Sequence, residues 1–239
     1  MPLPSRTAAL LIFFPAFCGA AAAAGDDMPP VVYPVIAKAV ADRAELVPAG
    51  WHVEAEASGD LNGDRRPDLA LVLQSDISDV SFNGEPTVGP RMLVVGFASR
   101  KGLTPVVSHH RLIPRRDNAY VQDVFDAENG ALSVDRGQLS VTLQFFATAG
   151  GWDIFTKIYR FAWNGSAFQL AGFDYDYGHR ATGITRHWIA DYKAGTLIFT
   201  TGRFSKDAPE STKKSKLPGR RRITLEQVGD GMAFDPFDK

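Results

Sequence analysis

Asn164-Gly165 stands between two runs rich in aromatic and β-branched residues, 152–163 and 167–177. This dipeptide is the strongest short-range hairpin signal, because both central positions of the favoured two-residue turn need positive φ. Two antiparallel strands are therefore predicted at 152–163 and 167–177. Asn164-Gly165-Ser166 also spells a glycosylation acceptor, but the turn accounts for it. Similar turn signals recur at Lys101-Gly102, Asn129-Gly130, Arg136-Gly137 and 193–195. Between them, Leu139, Val141, Leu143 and Phe145 alternate with Ser140, Thr142 and Gln144, the period-2 pattern of a half-buried strand. Residues 69–73 (LALVL) and 91–98 (RMLVVGFA) are continuous apolar runs, as expected of strands covered on both faces. Closely spaced turns of this kind favour an antiparallel arrangement over alternating β and α elements. No fixed-period repeat accompanies them, which argues against a propeller. The predicted fold is mainly β, an antiparallel meander, sandwich or open barrel, with one N-terminal helix over 34–46. That helix rests on Pro34 at its start, Ile36, Val40 and Ala44 on one face, and Pro48 and Gly50 after its end.

Residues 1–24 read as a secretory signal. Arg6 precedes a ten-residue apolar run, 8–17, and small residues end in Ala22 and Ala24, which fit a cleavage rule. The run is too short to span a bilayer, which needs roughly 20 residues. Lipidation at Cys18 is disfavoured by the bulky Phe17 before it. Cleavage after Ala24 leaves residues 25–239 as one mainly-β domain, bound for the periplasm or the medium, with no transmembrane segment. Cys18 is the chain's one cysteine, so the mature protein would carry no thiol. With 26 Lys+Arg against 27 Asp+Glu, the balance also argues against a nucleic-acid binder.

The stretch 59–70 reads GDLNGDRRPDLA. Oxygen-bearing side chains fall at Asp60, Asn62, Asp64 and Asp68, positions 1, 3, 5 and 9 of a calcium loop. The carbonyl of Arg66 stands at position 7. Calcium takes six to eight oxygen ligands, and a coiled loop presents alternate residues inward. The EF-hand fits poorly, since its twelfth position is Leu71 and the flanks look like strands. The motif instead resembles the loops of FG-GAP and VCBS-type repeats, roughly D-x-N/D-x-D-G-x-x-D-L between two strands. It is also similar to secreted bacterial proteins in which one such loop follows a tryptophan, as Trp51 precedes it here. The resemblance covers about 20 residues and implies a structural Ca2+ site and an exported location, with no activity attached. One residue departs from the pattern: Arg65 occupies the usual glycine position, where positive φ costs an L-residue on the order of 1 kcal/mol.

The remaining candidates are weaker. Asp174 and Asp176 share one strand face, and with His179 they could assemble a glycan-directed hydrolase site. Trp152, Trp163 and Trp188 could stack on sugar rings, or fill the core. His109 and His110, adjacent on a strand, point to opposite faces and cannot readily share an ion. No phosphate-binding loop, nucleophile elbow or H-E-x-x-H motif occurs. Residues 206–222 form a basic stretch, read as a solvated loop able to meet an anionic envelope polymer or a protein partner. Three readings follow: an exported envelope protein acting as a binding or structural module, a secreted hydrolase, or an assembly factor that offers a free strand edge.

Overall fold

The computed structural model describes residues 31–77, 81–82, 85–86, 88–115, 120–218 and 222–236. The signal segment 1–24 and Cys18 lie outside these residues. Two antiparallel sheets make up the fold. The first has four strands in the order β1 (Trp51–Gly59), β2 (Asp68–Ser75), β5 (Arg91–Ser99) and β6 (Gly102–His109). A two-residue ladder of β3 (Ser81–Phe82) and β4 (Glu85–Pro86) is set between β2 and β5 in the chain. The second sheet is a seven-stranded meander in chain order: β7 (Leu132–Asp135), β8 (Gln138–Phe146), β9 (Asp153–Trp163), β10 (Phe168–His179), β11 (Ile184–Asp191), β12 (Thr196–Arg203) and β13 (Ser211–Lys216). The expected hairpin is β9–β10, but its connection is a four-residue loop, 164–167, and not the expected two-residue turn: Gly165 has positive φ (+97°) and Asn164 does not, the Asn164 carboxamide instead accepting the Ser166 and Ala167 N–H groups.

One face of each sheet enters a common core. Ala70, Val72, Leu93 and Val95 meet Leu139, Val141, Leu143, Tyr159, Phe161 and Phe173. The other face of the four-stranded sheet is also buried, since Leu69, Leu71, Leu73, Met92 and Val94 pack under Val40 and Leu46. Burial on both faces is why β2 and β5 read as unbroken apolar runs. Among the described residues, no layer lies over the opposite face of the seven-stranded sheet. There β8 and β9 keep the strict alternation of buried and half-buried residues.

The helix expected over 34–46 is reduced to one 3-10 turn, Ala44–Leu46. The apolar spacing instead lets an irregular segment lie across the outer face of the first sheet. Val40 bonds Leu103 in both directions, at 3.0 and 2.9 Å, which holds this segment extended. Gly102 permits the approach: a Cβ there would stand 2.1 Å from the Val40 carbonyl oxygen. The α-helix lies near the other end of the chain, α1 (Leu225–Val228), opened by a Thr224–Gln227 capping box. The basic stretch also differs from a plain loop. Six of its residues form β13, the exposed edge of the large sheet, carrying Lys213, Lys214 and Lys216. Lysines on an edge strand oppose pairing with another sheet.

Candidate functional site

The loop between β1 and β2 is organised by its own acidic side chains. Asp60 accepts N–H bonds from Gly63 (2.7 Å), Asp64 (3.1 Å) and Arg65 (2.8 Å). Asn62 Oδ1 accepts from Asp64, and Asp64 Oδ1 from Arg66, both at 2.9 Å. Arg65 sits at φ +67°, in the left-handed region its position demands. The side chains of Asp60, Asn62 and Asp64 lie on this coil with the Arg66 carbonyl, a set of hard oxygens suited to calcium, and a carboxylate keeps further lone pairs after one N–H bond. Among the described residues no three His, Cys, Asp or Glu side chains already converge as a metal group. Asp68 differs from the others in being completely buried. It accepts from Leu61 (2.9 Å), Asn62 (3.2 Å) and, across the sheet, Ala98 (2.8 Å). Burial pushes its pKa up and these three N–H bonds oppose the shift. Asp68 is thus the pin that fastens the loop to β5, a role spacing alone does not disclose.

A groove of about 560 Å3 lies on the uncovered face of the seven-stranded sheet. Strand register sets one row of residues on this face: Gln144, Thr156, Asp176, His187, Thr200 and Thr212, each paired with the next on β8 through β13, the first five lining the groove. All six carry hydrogen-bonding side chains. His187 Nε2 lies 3.4 Å from Asp176 Oδ1. Burial raises the Asp176 pKa, and His187 opposes the shift. The next row contains Ile154, Gly178, Thr185 and Gly202. Phe204 folds back over Gly178, where a Cβ would meet its Cζ at 2.4 Å. Its backbone is fixed by a 2.9 Å bond to the Gly183 carbonyl, and residues 204–209 wall that end of the groove.

The residues proposed for hydrolysis separate. Asp174 is held by Arg160 through two bonds of 2.8 and 2.6 Å. His179 is three residues from Asp176, so strand alternation turns it to the opposite face; there it bonds Thr182. The tryptophans also disperse. Trp188 stacks on Tyr175 in the core at 5.1 Å, and Trp163 packs edge-on to Phe97 at 5.0 Å. Trp152 stays exposed, with the Arg180 guanidinium 5.9 Å from its ring. Sequence reasoning missed Thr156, His187, Thr200 and Phe204. No local signal marks them, because their association depends on the register of strands far apart in the chain.

A second cleft sits where the sheets meet, bordered by His52, Glu54, Asp123, Asp126 and Glu128. Its charge is largely committed: Arg91 binds both Glu54 and Asp123, and Asp126 accepts the Asn129 N–H at a 3-10 cap. His109 is half buried, which lowers its pKa to about 4, while His110 stacks on Tyr33 at 4.1 Å. No helix among the described residues is long and apolar enough to cross a membrane. Comparison with protein-family models, curated proteins and solved structures finds no match to this chain.

Proposed function

We propose that the protein is an exported cell-envelope binding module: one calcium loop stabilises the β1–β2 connection, and the uncovered face of the seven-stranded sheet takes the ligand. The observation that carries this reading is the six-residue polar row with its groove, on a broad sheet face that no other layer covers among the described residues. A face that needed only solvation would not require an ordered aromatic wall such as Phe204. The FG-GAP/VCBS-like loop supports export and a structural calcium ion, and the signal-like 1–24 supports a periplasmic or secreted location. Lys213, Lys214 and Lys216 add an attraction toward anionic envelope polymers.

A secreted hydrolase remains the second reading, favoured by the Asp176–His187 pair inside the groove. Asp174, the second carboxylate that reading invokes, is committed to Arg160 and so is not free for glycoside chemistry. The test is co-sedimentation of the purified protein with washed bacterial envelopes. The module reading expects saturable binding that Phe204→Ala weakens. Absence of sedimentation, or binding indifferent to Phe204, would sink it.

A further inference from the structure

We propose that the groove on the seven-stranded sheet binds a neutral polysaccharide lying across the strands. The inference rests on that face being the ligand surface and names what it takes. Neighbouring strands lie about 4.8 Å apart, so the row from Gln144 to Thr212 places a hydrogen-bonding side chain at every strand over roughly 24 Å. A linear chain of pyranose rings, with a repeat close to that spacing, meets a donor or acceptor at each step. A ligand running along the strands would alternate between polar and apolar rows instead.

The ionic groups bordering the groove, together with the Glu210 that two of them touch, sum to no net charge when His187 is neutral: Asp176, Asp207 and Glu210 stand against Arg186, Arg203 and Lys206. Asp176 faces His187. Arg203 and Lys206 both pair with Glu210, at 3.4 and 2.8 Å. Arg186, whose guanidinium lies 5.7 Å from the Tyr177 ring, and Asp207 on the wall are of opposite sign. A groove without net charge gives a phosphate or carboxylate ligand no net attraction, whereas uncharged hydroxyls can hydrogen-bond along the row, where the three threonine hydroxyls both donate and accept.

Phe204 is 54% exposed, yet its backbone is hydrogen-bonded and its ring is pressed onto Gly178. Ordered exposed rings beside hydrogen-bonding rows suit sugars, whose rings carry an apolar C–H face and an equatorial rim of hydroxyls. Gly178 lies beneath the ring, and Gly202 in the same row likewise adds no side chain to the groove floor.

The test is native affinity electrophoresis in gels containing a mixed-linkage β-glucan, xyloglucan, galactomannan or dextran, beside alginate and hyaluronate gels. Retardation is expected in at least one neutral gel and in neither anionic gel. Phe204→Ala and Thr156→Val should each weaken the dissociation constant at least about tenfold, read from mobility against polymer concentration. Each variant's thermal midpoint is measured alongside, so a folding defect is seen directly. The conservative Phe204→Tyr should keep the retardation. Retardation confined to the anionic gels, or none in any gel, overturns the neutral-polysaccharide inference. Envelope co-sedimentation relieved by Phe204→Ala would then still uphold the wider reading. Neutral-gel retardation untouched by both substitutions would instead refute the site, and the reading with it.

Discussion

Arg91 and Glu54 meet in a two-bonded fork, Nε to Oε2 at 2.6 Å and Nη2 to Oε1 at 2.5 Å. The same guanidinium holds Asp123 through Nη1 at 2.7 Å and Nη2 at 2.6 Å. Arg91 is 3% exposed, and burial is what would discharge it; the two carboxylates outweigh that effect and push its pKa upward. Glu54 lies at the β1 bulge, and Asp123 on the segment that Gln122 and Val124 tie to β8. One cation therefore fastens the two sheets along an edge.

Replacing that cation leaves two partly buried carboxylates uncompensated. Arg91→Met should lower the unfolding free energy by about 3–5 kcal/mol, measured by urea denaturation at pH 7. Adding Glu54→Gln and Asp123→Asn should recover much of the loss. A loss below about 1 kcal/mol for Arg91→Met would mean the sheets are held by apolar packing alone.

The strain at Arg65 yields a gain in the other direction. Its φ of +67° is unfavourable for arginine and free for glycine. Arg65→Gly should stabilise the protein by up to about 1 kcal/mol in EGTA, the relief being partly offset by a more flexible unfolded chain. It should also tighten calcium binding by removing a positive charge beside the loop. A calorimetric titration showing weaker calcium binding in Arg65→Gly would contradict this account.

Calcium itself should raise the thermal midpoint. Saturation to 100 times the dissociation constant adds about 2.7 kcal/mol, a rise of roughly 5–10 °C for a domain of this size. Asp60→Ala should abolish the calcium-dependent rise. Asp68→Ala should also destabilise the protein in EGTA, by on the order of 3 kcal/mol, because three N–H donors lose a buried acceptor. Equal EGTA midpoints for Asp68→Ala and the wild type would refute the pinning role.

The legible parts of this chain were those written locally. Asn164-Gly165 marked its hairpin, the alternation through Leu139–Phe145 marked β8, and the glycine-position argument anticipated the backbone at Arg65. The helix over 34–46 failed because Ile36, Val40 and Leu46 bury against a sheet face, and that demand does not require helical geometry when Leu103 supplies backbone bonds. His179 was grouped with Asp174 and Asp176 by proximity along the chain, although its odd offset already assigned it to the other face. The groove was illegible for a different reason. Thr156, Asp176, His187 and Thr200 become neighbours only once three hairpins fix their register, and hairpin register is set by turns and core packing, not by the groove residues.

Lys157 gives the last prediction, in pH. It lies on the core side of β9, its Nζ bonded to the Met232 and Phe234 carbonyls at 2.6 and 2.8 Å and within 3.4 Å of that of Gly231. Burial lowers its pKa from 10.5 to about 8, against the raising influence of Asp235 and Asp230. Between these values the unfolded chain binds more of this proton than the folded one, so stability contributed by the group rises with pH across that window. From pH 7.5 to 9.5 the wild type should gain about 2 kcal/mol relative to Lys157→Met, read as the difference in urea unfolding free energies. The comparison with Lys157→Met removes the titration of the tyrosines, which begins near the upper end. The variant should also be less protected in hydrogen exchange over 230–235, since the carbonyls of that segment lose their shared donor. A wild-type advantage that shrinks as pH rises would show that the three carbonyls hold the ammonium charged against its burial.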